Sequence, residues 1–113
     1  YAEAENELGN MSEAMTYLNM VRQRSNAKLM ENPVNQENMR SQIIEERAKE
    51  FACEADRRWD LIRWGIYLDA MNAIGRDDSN INKARTERNL LYPIPTAEIN
   101  VNDSINSNNP GWN

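Results

Sequence analysis

Residues 45–64 narrow what this chain can fold into more than any other stretch. They set four Glu, two Asp, one Lys and four Arg around two of the three Trp. Charges at this density beside large apolar residues have two readings. On a solvated helix they form i,i+4 pairs worth only about 0.2–0.5 kcal/mol each. Turned inward, they must pair with one another, because an isolated buried charge is costly. Spacing favours the second reading. On a 3.6-residue helix Ile43, Ile44, Arg47, Ala48, Phe51 and Ala55 fall close together, so Arg47 lies inside an apolar stripe. Glu46, Glu50 and Glu54 step by four along the adjacent face. Such a like-charge ladder needs cations, and Arg57, Arg58 and Arg63 are placed to supply them. The expectation is a partly buried charge network of Glu46, Arg47, Glu50, Glu54, Arg57, Asp60 and Arg63. It would fix geometry more than add stability, and losing one partner would cost roughly 3–5 kcal/mol. Phe51, Trp59, Trp64, Tyr92 and Trp112 are expected to be packing anchors.

Composition removes several function classes. The chain has no His, which excludes imidazole acid–base catalysis, Ser-His-Asp triads and histidine metal sites within it. A net charge of −5 disfavours nucleic acid, which needs a basic face, and leaves no polybasic patch for anionic lipid. The single Cys53 cannot form an internal disulfide, and its place on an expected helix beside Phe51 reads as a buried, inert thiol. No Gly-rich phosphate loop, metal-ligand cluster or nucleophile elbow occurs, so no cofactor, metal or catalytic residue is expected. At 113 residues the chain is one domain or part of one, long enough for a core without staples. No run reaches the length of a membrane span, and no signal peptide is present. Tyr1 opens directly into helical pattern, so the chain reads as a piece whose N-terminal part is missing, and absent targeting signals carry no weight.

In chain order, residues 2–8 read as the last turns of a helix, with Gly9 as its left-handed C′ residue. Ser12 is placed to cap a second helix running to about Arg24, with Met11, Ala14, Leu18 and Val21 as its apolar stripe. Arg22 and Arg24 suit its negative end, and Ser25 and Asn26 end it. This pair resembles a tetratricopeptide-type hairpin in which the small Ala14 allows close approach. Residues 27–35 read as a loop that Pro33 keeps from continuing the helix. Asn35 caps a third helix over 36–55, and a fourth covers 57–73, carrying Trp59, Ile62, Ile66 and Leu68. Residues 75–91 read as an exposed loop. Tyr92-Pro93-Ile94-Pro95 must then run extended, Thr96 caps a single turn over 97–100, and Asn109-Pro110-Gly111 turns the chain towards Trp112. The expected fold is mainly α: tetratricopeptide-like hairpins, long irregular loops and an extended Pro-containing C-terminal segment.

These residues also carry a family resemblance. Glu46-Arg47-x-x-Glu50-Phe51-Ala52-x-Glu54-Ala55-x-Arg57-x-x-Asp60-Leu61-x-Arg63-Trp64 resembles the hallmark stretch of SusD/RagB-type outer-membrane lipoproteins. Tyr1-Ala2-Glu3-Ala4 with Asn6-Glu7 and Gly9, then Leu18-Asn19-x-Val21-Arg22-x-Arg24, resemble the helices ahead of it. Tyr92-Pro93-Ile94-Pro95-x-x-Glu98-Ile99 and Asn109-Pro110-Gly111-Trp112 resemble the C-terminal motifs. The likeness covers essentially the whole chain in four ordered motifs. One departure is Ala55, where the family usually carries Gly, so the turn there is expected to be less sharp. The resemblance implies a helical scaffold on the outer face of the outer membrane in Bacteroidota. It implies a lipid anchor on an N-terminal Cys outside residues 1–113, a glycan or other nutrient ligand, a SusC-like TonB-dependent transporter as partner, and no enzyme activity.

Sugar rings stack on exposed aromatic faces, which makes Trp59, Trp64, Tyr67, Tyr92 and Trp112 the residues to weigh; their helical or motif-embedded positions favour packing, and no ligand-binding residue is assigned. Two other functions compete. One is a protein-interaction scaffold without direct glycan contact. The other, the weakest, is a glycoside hydrolase using Glu50 with Glu54 or Glu46 with Asp60. Each of those acids has an Arg within about four residues, which favours the ionised form where a general acid needs the protonated one.

Overall fold

The computed structural model describes residues 1–32, 35–74 and 84–112. The expectations placed on Pro33 and on residues 75–83 of the loop lie outside the described residues. The architecture is mainly α, with no strand among the described residues. In order come α1 (Ala2–Glu7), α2 (Met11–Arg24), α3 (Gln36–Glu50), α4 (Arg57–Arg63), α5 (Tyr67–Ile74), a 3-10 turn (Glu87–Asn89) and α6 (Thr96–Val101). The chain divides into two compact units, Tyr1–Ala55 and Asp56–Asn113.

In the first unit α1 and α2 form the expected hairpin. Gly9 takes φ +85°, and its N–H donates to the Asn6 carbonyl at 3.0 Å while the Asn10 N–H reaches the Glu5 carbonyl at 2.8 Å. These are the two bonds of a Schellman cap, and they settle the open carbonyls of the last turn. Helix α2 starts two residues earlier than a Ser12 cap would set it, at Met11, and Ser12 does not cap it. Asn10 occupies the cap position and donates its side-chain amide to Glu5 instead. The far end repeats the Schellman pattern. Asn26 sits at φ +53°, and the Ala27 N–H reaches the Arg22 carbonyl at 2.8 Å. Asn35 caps α3 by accepting the Asn38 N–H at 2.8 Å. Ala14, Leu18, Met39 and Ile43 make the core, with Ala2, Met15 and Met30 packed against it.

Helix α3 is shorter than expected. It ends at Glu50, and the chain turns through Phe51–Asp56 with Cys53 at φ +69° and Ala55 at φ +66°. Cys53 is therefore exposed, not buried. With the helix over, its side chain no longer follows the apolar stripe. Ala55 adopts the left-handed conformation in spite of its Cβ, at a cost of about 1–2 kcal/mol.

In the second unit the single helix expected over 57–73 is two helices. Gly65 takes φ +73°; its N–H donates to the Ile62 carbonyl at 2.9 Å, and the Ile66 N–H to the Leu61 carbonyl at 3.0 Å. This is a third Schellman cap. The break redistributes burial. Asp60, Leu61 and Tyr67 are buried, while Trp59 is exposed. Thr86 and Asn89 close a capping box around the 3-10 turn, and α6 starts after Pro95, which holds the cap position that Thr96 was expected to take.

Asparagines clasp the irregular segments in both units. Asn19 donates to the Met30 carbonyl at 2.9 Å and accepts the Met30 N–H at 2.7 Å. Asn72 holds Arg85 in the same two-way manner at 3.1 and 2.6 Å, and Asn108 holds Ile94 at 3.2 and 2.8 Å. A carboxamide carries a donor and an acceptor side by side, so one side chain satisfies a whole residue's backbone where no helix or sheet does so.

Candidate functional site

Two clusters gather the residues that the sequence singled out. The first lies between α2 and α3. Arg22 Nε donates to Glu46 Oε2 at 2.6 Å, and both side chains are about nine-tenths buried. Arg22 Nη2 also reaches Gln42 Oε1 at 3.1 Å. One turn on, Arg24 pairs with Glu50 in a more exposed setting. The cations that meet Glu46 and Glu50 thus come from α2, whereas the sequence reading assigned them to Arg57, Arg58 and Arg63. The signal was present: Ala14, Leu18 and Arg22 step by four along one face, so the stripe that buries the first two carries Arg22 inward. Arg47 lies over the Phe51 ring at 4.8 Å, and both are half-buried. Glu54 is exposed, not part of a buried ladder, because α3 ends at Glu50 and the four-residue step ends with it.

Exposed pairs border this cluster. Arg40 donates to Glu7 and to Glu37, and its hydrogen bonds hold the Glu7 carboxyl below the usual range. Lys49 does the same to Glu45. An open cleft of about 390 Å³ runs beside the core, lined by Tyr1, Tyr17, Val21, Ile43, Arg47 and Phe51 among others. Tyr1 and Tyr17 meet edge to face there, with ring centroids 4.3 Å apart.

The second cluster belongs to the second unit and centres on Arg58. Its Nη1 donates to the Tyr67 hydroxyl at 3.0 Å and its Nη2 to the Asn89 carbonyl at 2.6 Å. The guanidinium carbon lies 5.8, 5.1 and 4.9 Å from the ring centroids of Trp59, Tyr67 and Tyr92, within the range of cation–π attraction. Trp59 and Tyr92 contact each other with centroids 6.0 Å apart. They are 52% and 59% exposed, so they are not packing anchors within this unit: they stack on Arg58 at the surface, while Tyr67 takes the buried place. Asp60 is buried beside Arg63, at 2.9 Å from its Nη2. Arg63 and Arg57 lie over the Trp64 ring at 4.5 and 5.8 Å, and Trp64 is half-buried.

Trp112 is half-buried as well. Its Nε1–H is shared between the carbonyls of Leu91 at 3.0 Å and Arg88 at 3.2 Å, with the Arg88 guanidinium 4.0 Å above the ring. Gly111, at φ +81°, allows this approach: a Cβ there would stand 2.7 Å from Arg88 Cβ. Among the described residues no group of three or more Cys, Asp and Glu is arranged to hold a metal ion, and no helix is long and apolar enough to cross a membrane.

The profile of the SusD family matches residues 1–112. SusD-like protein P25 of Formosa agariphila is 38% identical over 104 residues, which cover 89% of this chain and 20% of that protein. SusD-like protein P2 of the same organism is 33% identical over 119 residues, covering 98% of this chain and 23% of that protein. The chain thus spans about a fifth of the length of these curated relatives. No solved structure gives a significant match.

Proposed function

The chain belongs to the SusD family, and from that premise we propose that it is part of a glycan-binding surface lipoprotein in which residues 1–112 act mainly as helical scaffold. The ligand of the whole protein is an oligo- or polysaccharide. Its partner is a TonB-dependent transporter of the SusC type, and its place is the outer face of the outer membrane, held by a lipid outside residues 1–113. The protein captures its ligand without cleaving it.

The observation that carries the scaffold role is the buried Arg22–Glu46 pair joining α2 to α3. A pair of this kind fixes how two helices register, since either charge left alone would be costly. The asparagine clasps and the tethered Trp112 support the same role, because they hold irregular segments in one conformation. A non-catalytic role is supported by the commitment of the buried acids Glu46 and Asp60 to arginines; general acid catalysis needs a carboxyl that can hold and donate its proton.

The test is affinity electrophoresis of the full-length protein through gels containing a panel of polysaccharides, with reducing ends measured in parallel. Retardation by at least one polysaccharide, with no release of reducing sugar, is expected. Release of reducing sugar would overturn the non-enzyme reading. Free migration through every gel, with a transporter still co-purifying, would reduce the protein to an interaction scaffold.

A further inference from the structure

We propose that the exposed aromatic face around Arg58, formed by Trp59 and Tyr92, is the seat of polypeptide from the same protein that lies outside residues 1–113. This rests on family membership only for the extra length and does not depend on what the protein binds.

Three observations point to this occupant. First, the second unit is short of core. Among its described residues only Leu61 and Tyr67 are buried apolar side chains, whereas Trp59, Ile74, Leu91, Tyr92 and Val101 each expose more than half of their surface. A unit of this size is marginal even when well packed, and large aromatics gain most from leaving water. Second, Arg58 is incompletely satisfied. Its Nε is buried without an acceptor. Its two other nitrogens rigidly link Tyr67 and Asn89 beneath the exposed rings. Third, the relatives carry about four-fifths of their length beyond the matched span, so a covering segment within the same polypeptide is available to them.

The chemistry of the seat defines what fills it. Two rings set at 60° to each other form a notch for an aliphatic or aromatic side chain, and the guanidinium at its base favours a carboxylate or carbonyl next to that side chain. A covered cation stacked on three rings is worth more than an exposed one.

The test uses the full-length protein with Tyr92 replaced by the photo-crosslinker p-benzoylphenylalanine, irradiated without glycan, and the linked peptides mapped by mass spectrometry. Cross-links to peptides of the same polypeptide outside residues 1–113 are expected. Cross-links confined to residues 1–113, links only to another protein, or no links at all would overturn the proposal. Hydroxyl-radical footprinting of the unsubstituted full-length protein provides a check that needs no substitution. Trp59 and Tyr92 should be oxidised at least about five-fold more slowly than in the unfolded protein. Oxidation at the unfolded rate, slowed only when a polysaccharide is added, would instead make this face a glycan platform and overturn the intramolecular seat.

Discussion

Arg22 shows how one side chain can couple two helices. It continues the stripe of Ala14 and Leu18 into the interface, where an apolar residue would ordinarily follow, and there meets Glu46. Removing either partner strands the other in a poorly solvated place. Arg22→Ala or Glu46→Ala should therefore lower the stability of the full-length protein by about 3–5 kcal/mol, measured by chemical denaturation. The double replacement Arg22→Met with Glu46→Leu should recover most of that loss. Lys28→Ala, at an exposed position, should change nothing measurable. Glu7 gives a second residue-scale expectation. Arg40 depresses its carboxyl, so whatever the pair contributes is present above the ordinary carboxylate range and is lost as pH falls through the lowered value. Replacing Arg40 by Gln should move the Glu7 titration back up towards the ordinary range, read by carboxyl NMR; an unchanged titration would remove Arg40 as the cause.

At the scale of elements, termini decide the shape. Gly65 and Ala55 both hold positive φ, but only one of them is glycine. Ala55→Gly should raise stability by about 0.5–1 kcal/mol, the strain relieved less the added freedom of the unfolded chain, and Gly65→Ala should lower it by about 1 kcal/mol; denaturation midpoints test both. Asn108→Asp should loosen the Tyr92–Pro95 segment, because it keeps the acceptor for the Ile94 N–H but loses the donor to the Ile94 carbonyl; faster amide exchange at Ile94 would report it. The sequence announced some of these termini plainly. Gly9, Asn26 and Asn35 stand at the edges of clear apolar periods and serve as caps. Others were hidden. The apolar period runs on through Gly65, so a break there cannot be told from a tolerated glycine without its hydrogen bonds. Likewise the stripe through Phe51 and Ala55 suggested a helix to 55, although the backbone leaves it at Glu50. Those two misplaced ends account for the exposed Cys53, Glu54 and Trp59. The acids Glu46 and Glu50 could be named from spacing along one helix, and the α2 stripe turns Arg22 inward, but no periodicity within either helix says which acid meets which arginine.

For the molecule as a whole, the proposed division is that residues 1–112 supply support while the ligand is met elsewhere in the protein. The described residues are linked by short caps, the buried Arg22–Glu46 pair and side-chain clasps, with a small core in the first unit and only Leu61 and Tyr67 as buried apolar side chains in the second. These links are what the proposed support role rests on, in a chain that covers about a fifth of its relatives' length. The central claim is that residues 1–112 hold the protein's shape while its ligand is met elsewhere. Footprinting of the full-length protein, with and without a polysaccharide that it has been shown to bind, tests this directly. The account predicts that protection within residues 1–112 stays the same when the polysaccharide is added. New protection on Trp64, Tyr92 or Trp112 that appears only with the sugar would contradict it.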